Sequence, residues 1–238
     1  FISNCLKINS CSLTDDLENA KNQVNDLLAK AAITPLQSKS GREVTEGLVL
    51  VGIASALYDS ESGWPVLRDA FKEAKLGSGE SFLTLADQYA GRQENGSYLS
   101  NENDALQVID CLDQNELETI SAFKNGLAEF ADKAPIFGPY LAYAGLACRY
   151  LPNLGSVEQI EIKNLNTNPI LIIGTTRDPA TPYKWAQSLA KIFSSSILIT
   201  LDGDGHTGHG RGSTCVDSAV DRYLLTGATP KSELFCAK

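Results

Sequence analysis

The sequence predicts an α/β fold in which a mostly helical region precedes two parallel strands and their helices. Three observations lead there. Residues 13–150 hold apolar side chains at helical spacing through seven successive segments. After Pro152 two short apolar runs, PILIIGTTRD (169–178) and SSILITLDGDGH (195–206), each end in glycine and polar residues, as strands buried on both faces of a parallel sheet do. An amphipathic segment, TPYKWAQSLAKIF, separates the two runs, giving a strand–helix–strand unit whose strands must be parallel neighbours.

In chain order, SLTDDLENAKNQVNDLLAKA predicts a helix with Thr14 as its cap and acidic residues in its first turn. Leu17, Ala20, Val24, Leu27 and Leu28 form one apolar stripe on it. A loop over Thr34 to Gly41 follows. VTEGLVLVGIASALYD reads as a buried helix capped by Thr45; its length favours helix over strand. SGWPVLRDAFKEAKLG starts a helix near Trp64 and Pro65, a residue suited to the first turn, and closes at Gly77. GESFLTLADQYAGR, NENDALQVIDCLD, QNELETISAFKNGLAEFADKA and PYLAYAGLACRYLP continue the helical pattern. STCVDSAVDRYLLTG is a closing helix terminated by Gly227. Two strands cannot make a doubly wound sheet, so the remaining strands are expected outside these residues.

The bulk composition removes several function classes. Hydrophobic residues make up 43% and charged residues 21% of the chain, an ordinary globular balance. A net charge of −9 speaks against a nucleic-acid partner, since nothing would neutralise phosphates. No apolar run approaches the roughly 20 residues of a membrane helix. The chain opens on Phe1 and holds no methionine, and its start lacks signal-peptide character, so it reads as a processed product or a piece of something longer. The six cysteines form no C-x-x-C pair, which weakens a zinc reading and favours disulfides in an exported protein.

Chemistry in open α/β sheets gathers at the carboxyl ends of strands. Asp178 and His206 both sit there, and a carboxylate holding one imidazole nitrogen leaves the other free to take a proton from a nucleophile. In α/β-hydrolases the chain order is serine, acid, histidine, with the serine on a G-x-S-x-G elbow. The acid and base occur here in that order, but no G-x-S-x-G occurs. GESFL at Gly79 to Leu83 lacks the second glycine and falls in a helical pattern, so it is not read as the elbow. Asp178 has a plainer alternative as cap of the helix that follows it. His206 and His209 offer an H-x-x-H pair, but that spacing suits a metal on a helix, which the surrounding glycines oppose. Tyr58, Trp64 and Phe71 read as packing of the helical region rather than as a substrate pocket.

The stretches GTTRDPATPYKWAQSLA and LITLDGDGHTGHGRGSTCVDSAVDRYLLTGATP, with the last cysteine, resemble the C-terminal region of the actinobacterial tripeptidyl-aminopeptidase family. FISNC, LYDSESGWPVLRDAF, LADQYAGR, DALQVIDCLD and ACRYLP resemble that family's cap, in order. These are exported serine hydrolases related to proline iminopeptidases. The resemblance implies an incomplete α/β-hydrolase core, its last two parallel strands with helices at 153–238, preceded by a mostly α-helical cap domain at 1–152. It further implies Asp178 as triad acid, His206 as base, and a nucleophilic serine upstream of Phe1, with no cofactor and no metal. His209 stands where the family often has tyrosine and is not expected to be catalytic. Nearness in sequence pairs Cys5 with Cys11 and Cys215 with Cys236, and the resemblance supports these and Cys111–Cys148. The expected activity is removal of short peptides from the N-terminus of peptide substrates by a secreted or cell-envelope enzyme completed by its N-terminal half. An esterase, an epoxide- or haloalkane-type hydrolase and a non-catalytic binding module are the alternatives.

Overall fold

The computed structural model of the chain describes residues 1–14, 16–113, 119–151 and 168–238. In chain order its elements are α1 (Ile2–Cys5), α2 (Leu17–Ile33), α3 (Glu46–Leu57), α4 (Gly63–Ala74), α5 (Glu80–Ala90), α6 (Glu102–Leu112), α7 (Ile120–Lys133), α8 (Gly138–Leu141), a 3-10 segment (Ala144–Tyr150), β1 (Ile170–Arg177), α9 (Tyr183–Ile192), β2 (Ser196–Asp204), α10 (Thr214–Thr226) and β3 (Leu234–Ala237). They fall into two compact units, one formed by Phe1–Ser55 with Val66–Gln159, the other by Ala56–Pro65 with Ile160–Lys238. The boundary expected at 152/153, Asp15, and the start of the helix expected from Gln114 lie outside the described residues.

In the helical unit, Asp16 rather than Thr14 caps α2. The residue before the first turn must be extended for its side chain to reach back, and Asp16, at φ −123° and ψ 158°, accepts the Asn19 N–H at 2.8 Å. Ala20, Val24, Leu28 and Ala31 are the buried stripe of α2, whereas Leu17 at its start is exposed. Gly52 lets α3 lie directly on α5, since a Cβ there would stand 2.7 Å from the Phe82 carbonyl oxygen. Phe71 meets Phe82 edge-on with ring centroids 5.4 Å apart, and both side chains are buried. α5 stops at Gly91, which takes the left-handed conformation that glycine adopts without strain. The disulfides Cys5–Cys11 and Cys111–Cys148 lie in this unit, the second tying α6 to the 3-10 segment.

The second unit is built on a parallel sheet of order β1-β2-β3. The alternation along the strands decides which helix covers which face. Gly174 and Thr200 are paired neighbours on the α9 face: a Cβ on Gly174 would stand 2.8 Å from Ala186 and from the Tyr183 ring, and the Tyr183 hydroxyl lies 2.6 Å from Thr200 Oγ1. Ile199 and Leu201 on the opposite face pack with Val216 and Val220 of α10 and with Cys236 of β3. Helices thus cover both faces, which is why the two strands read as continuous apolar runs.

The sequence predicts two strands here; among the described residues the sheet has three. β3 is only four residues long and exposes Phe235, so its apolar run Leu-Phe-Cys-Ala is too short to announce a strand. The Cys215–Cys236 disulfide and a hydrogen bond from Ser213 Oγ to the Ala237 carbonyl (2.8 Å) hold it beside β2. The three disulfides are the pairs that the resemblance implies.

Peptide mapping under non-reducing conditions should return these three pairs; any crossed pair contradicts the structure. Replacing the fully buried Ile199 by alanine should lower the unfolding free energy by about 2–5 kcal/mol, read as a shifted denaturant midpoint.

Candidate active site

The carboxyl ends of β1 and β2 bring Asp178 and His206 together. Near these ends the ladder slips, Thr175 facing Leu201 but Arg177 facing Asp204, so β2 carries one extra residue. Thr176 Oγ1 donates to Asp202 at 3.0 Å, and Arg177 reaches Asp202 and Asp204 at 2.7 and 2.8 Å, fixing the irregularity. The loop beyond β2 then turns toward β1 through two glycines with no room for a side chain. A Cβ on Gly205 (φ 114°) would stand 2.9 Å from the Tyr58 carbonyl oxygen, and one on Gly208 would stand 2.5 Å from Ile173.

His206 Nδ1 lies 3.0 Å from each oxygen of the Asp178 carboxylate. The Asp178 side chain is 3% exposed and that of His206 25%. Burial raises the energy of the Asp178 anion, but donors to it outweigh that effect. The N–H groups of Thr181 and Ala180 donate at 2.8 Å each, His206 from its ring, and the Thr207 N–H at 3.2 Å, together holding the carboxyl below the ordinary aspartate range. Thr181 Oγ1 adds a further bond at 3.0 Å. A carboxylate kept ionised here fixes the proton of His206 on Nδ1 and leaves Nε2 as the basic nitrogen. The cap role weighed for Asp178 coexists with this one, because the same oxygens hold the turn that precedes α9. The N-cap position of α9 itself is Pro182.

Sequence reasoning missed Thr207, whose N–H donates to Asp178 and whose carbonyl accepts from the buried Thr175 hydroxyl at 2.9 Å. It also missed the turn over Tyr58 to Ser62, which belongs to the second unit although it lies between α3 and α4. The Tyr58 carbonyl accepts the His206 N–H at 2.8 Å, and the two rings meet edge-on with centroids 4.9 Å apart. Tyr58 is therefore packing for His206 rather than for the helical region. Nothing in local periodicity marks a contact between residues this far apart in sequence. Phe71 is buried in the helical unit as expected, whereas Trp64, also buried, belongs to the second unit. His209 stands apart from the pair, its Nε2 3.0 Å from Asp221 on α10. Among the described residues no cluster of His, Cys, Asp and Glu side chains is arranged to hold a metal, and no helix is long and apolar enough to cross a membrane. Ser81 of the rejected GESFL stretch lies in α5, within the helical unit.

Because the folded Asp178 carboxyl is depressed, its stabilising contribution is fully present above the unfolded value near pH ~3.9 and disappears as pH falls through the lower folded value. Denaturation midpoints of the Asp178→Asn variant should therefore fall less steeply with acid than those of the wild type below about pH 4.

Residues 134–236 match the sequence model of a family described as "TAP-like protein". The serine protease Hip1 of Mycobacterium tuberculosis is 31% identical over 209 residues, covering 85% of this chain and 39% of that protein. The M. tuberculosis protein named carboxylesterase B is 31% identical over 242 residues, covering 100% of this chain and 46% of its own length. The tripeptidyl aminopeptidase of Streptomyces coelicolor is 27% identical over 230 residues, 94% of this chain and 41% of that protein. The chain thus spans less than half the length of these relatives. With its parallel strands flanked by helices and its similarity to hydrolases and proteases, residues 134–236 of the chain form a TAP-like region of the α/β-hydrolase family.

Proposed function

We propose that the chain is the lid and C-terminal portion of an extracytoplasmic serine aminopeptidase that removes short peptides from the N-terminus of peptide substrates. In this reading residues 1–152 form the lid, apart from Ala56–Pro65, which belong with the second unit, and 153–238 are the part of the hydrolase core that carries Asp178 as triad acid and His206 as base. The observation that carries it is the placement of His206 Nδ1 at 3.0 Å from both oxygens of a buried, ionised carboxylate. A non-catalytic binding module has no need of such a pair. Three disulfides and the relatives' names support export and hydrolysis.

His206 Nε2 takes the proton of a serine hydroxyl as that oxygen attacks the scissile carbonyl, then delivers it to the leaving amine. Asp178 stays ionised throughout, orients the ring and stabilises the imidazolium. The serine and the backbone N–H groups of the oxyanion hole are assigned to a segment outside residues 1–238, since no G-x-S-x-G occurs within them. Two features support a sheet continued by other strands. β1 is paired on one side only among the described residues, and α9 exposes Trp185, Leu189 and Ile192 along one stripe. The same machinery cleaves esters, and the relative named carboxylesterase B matches the whole chain, so ester hydrolysis is the second reading.

Residues 1–238 expressed alone should turn over no aminoacyl or tripeptidyl chromogenic substrate, and a serine-reactive phosphonate should label no serine in them. Full-length protein should be active on peptides with a free N-terminus, and His206→Ala or Asp178→Asn should each reduce kcat by about 10⁴-fold. Turnover or serine labelling within residues 1–238 alone overturns the assignment. Faster turnover of esters than of peptides favours the second reading.

A further inference from the structure

The turn over Tyr58 to Ser62 and the loop that carries His206 are joined by more bonds than packing two surface segments requires, and they converge on one residue. Thr207 sits at φ 67°, the single non-glycine positive φ among the described residues. A β-branched side chain reaches that conformation only when its surroundings hold it there. All its polar groups are engaged. Its N–H donates to Asp178 at 3.2 Å, its carbonyl accepts from Thr175, and its hydroxyl accepts from Arg211 Nε at 3.2 Å. Arg211 Nη1 in turn reaches Asp59 Oδ2 at 3.2 Å, while Asp59 Oδ1 accepts the N–H groups of Glu61 and Ser62 at 2.8 and 3.0 Å. The turn grips the loop elsewhere too, through Tyr58 to His206 and from Ser60 Oγ to the Asp204 carbonyl at 3.2 Å.

We propose that Asp59 and Arg211 are positioning residues for the base, acting through Thr207. Asp59 is anchored by its own turn and fixes the guanidinium. The guanidinium fixes the Thr207 side chain, and with it a strained backbone whose N–H completes the Asp178 shell. The ring of His206 is set one residue away. The inference rests on reading His206 as the catalytic base and adds to it a second support, drawn from a turn more than a hundred residues upstream.

The pair also balances charge. Tyr58, Asp59, Asp204, His206, Arg211 and Lys238 line one small cavity. Asp204 is paired with Arg177 at 2.8 Å and Lys238 with Glu61 at 2.8 Å, and Asp178 faces the ring from the β1 side. In the pair the charges of Asp59 and Arg211 offset each other. Losing the aspartate leaves an uncompensated cation that disfavours imidazolium, and losing the arginine leaves an uncompensated anion that favours it.

The test uses full-length protein with ¹⁵N-labelled histidine, the His206 signal being identified by its loss in His206→Ala. Asp59→Asn should lower the His206 pKa and Arg211→Gln should raise it, each by about half a unit. Both should lower kcat by roughly tenfold with KM little changed, because positioning acts on the chemical step. Arg211→Lys, which keeps the charge but loses the fork that reaches Thr207 and Asp59 together, should restore the pKa and not kcat. Thermal melts sort out variants that do not fold, and if Asp59→Asn is one, the two Arg211 variants carry the test. Unchanged titration and unchanged kcat in folded variants overturn the positioning role while leaving the base assignment intact. Wild-type activity in His206→Ala overturns that assignment instead.

Discussion

A nearly buried anion is tolerated in a protein only where donors replace the water it has lost, and Asp178 is such an anion. Five donors from three places meet its two oxygens: the N–H groups of Ala180 and Thr181 with the Thr181 hydroxyl, the Thr207 N–H, and the His206 ring. The end of β1, the approach to α9 and the loop beyond β2 are therefore locked by one side chain. Local folding and proposed chemistry are not separable here. The carboxylate braces the turn, and the turn's N–H groups in return favour its ionised form at 3% exposure.

The glycines of LDGDGHTGHGRG follow from the same requirement. Gly205 and Gly208 lie where backbone or side chain approaches too closely for a Cβ, while Gly210 and Gly212 take positive φ at 73° and 87°. Close threading past the Tyr58 carbonyl and Ile173 accounts for the first two, and backbone turning for the others. Within this stretch only Thr207 takes a positive φ without being glycine, and its hydroxyl is held by Arg211.

The sheet, its two flanking helices and the Asp178–His206 pair were legible because they rest on short-range signals: apolar runs closed by glycine, one helical period between them, and polar residues just past the strands. What escaped depends on distance or on brevity. β3 is too short to carry a pattern, and only Cys236 and the half-buried Leu234 join the core. The Tyr58 turn is helical punctuation in sequence and a wall of the His206 site in space. The cap of α2 moved from Thr14 to Asp16 because both residues satisfy the same preference, and only the backbone angle tells them apart.

The disulfide connectivity has a consequence for how the chain matures. Cys5 closes with Cys11, Cys111 with Cys148 and Cys215 with Cys236, so each cysteine pairs with the next one along the chain and no loop encloses another. Each bridge also stays within one compact unit. Oxidised from its N-terminal side, this stretch can complete each of the three pairs before the next of its own six thiols is reached. Among these six cysteines the native pairing therefore calls for an oxidant rather than for shuffling of mispaired bonds.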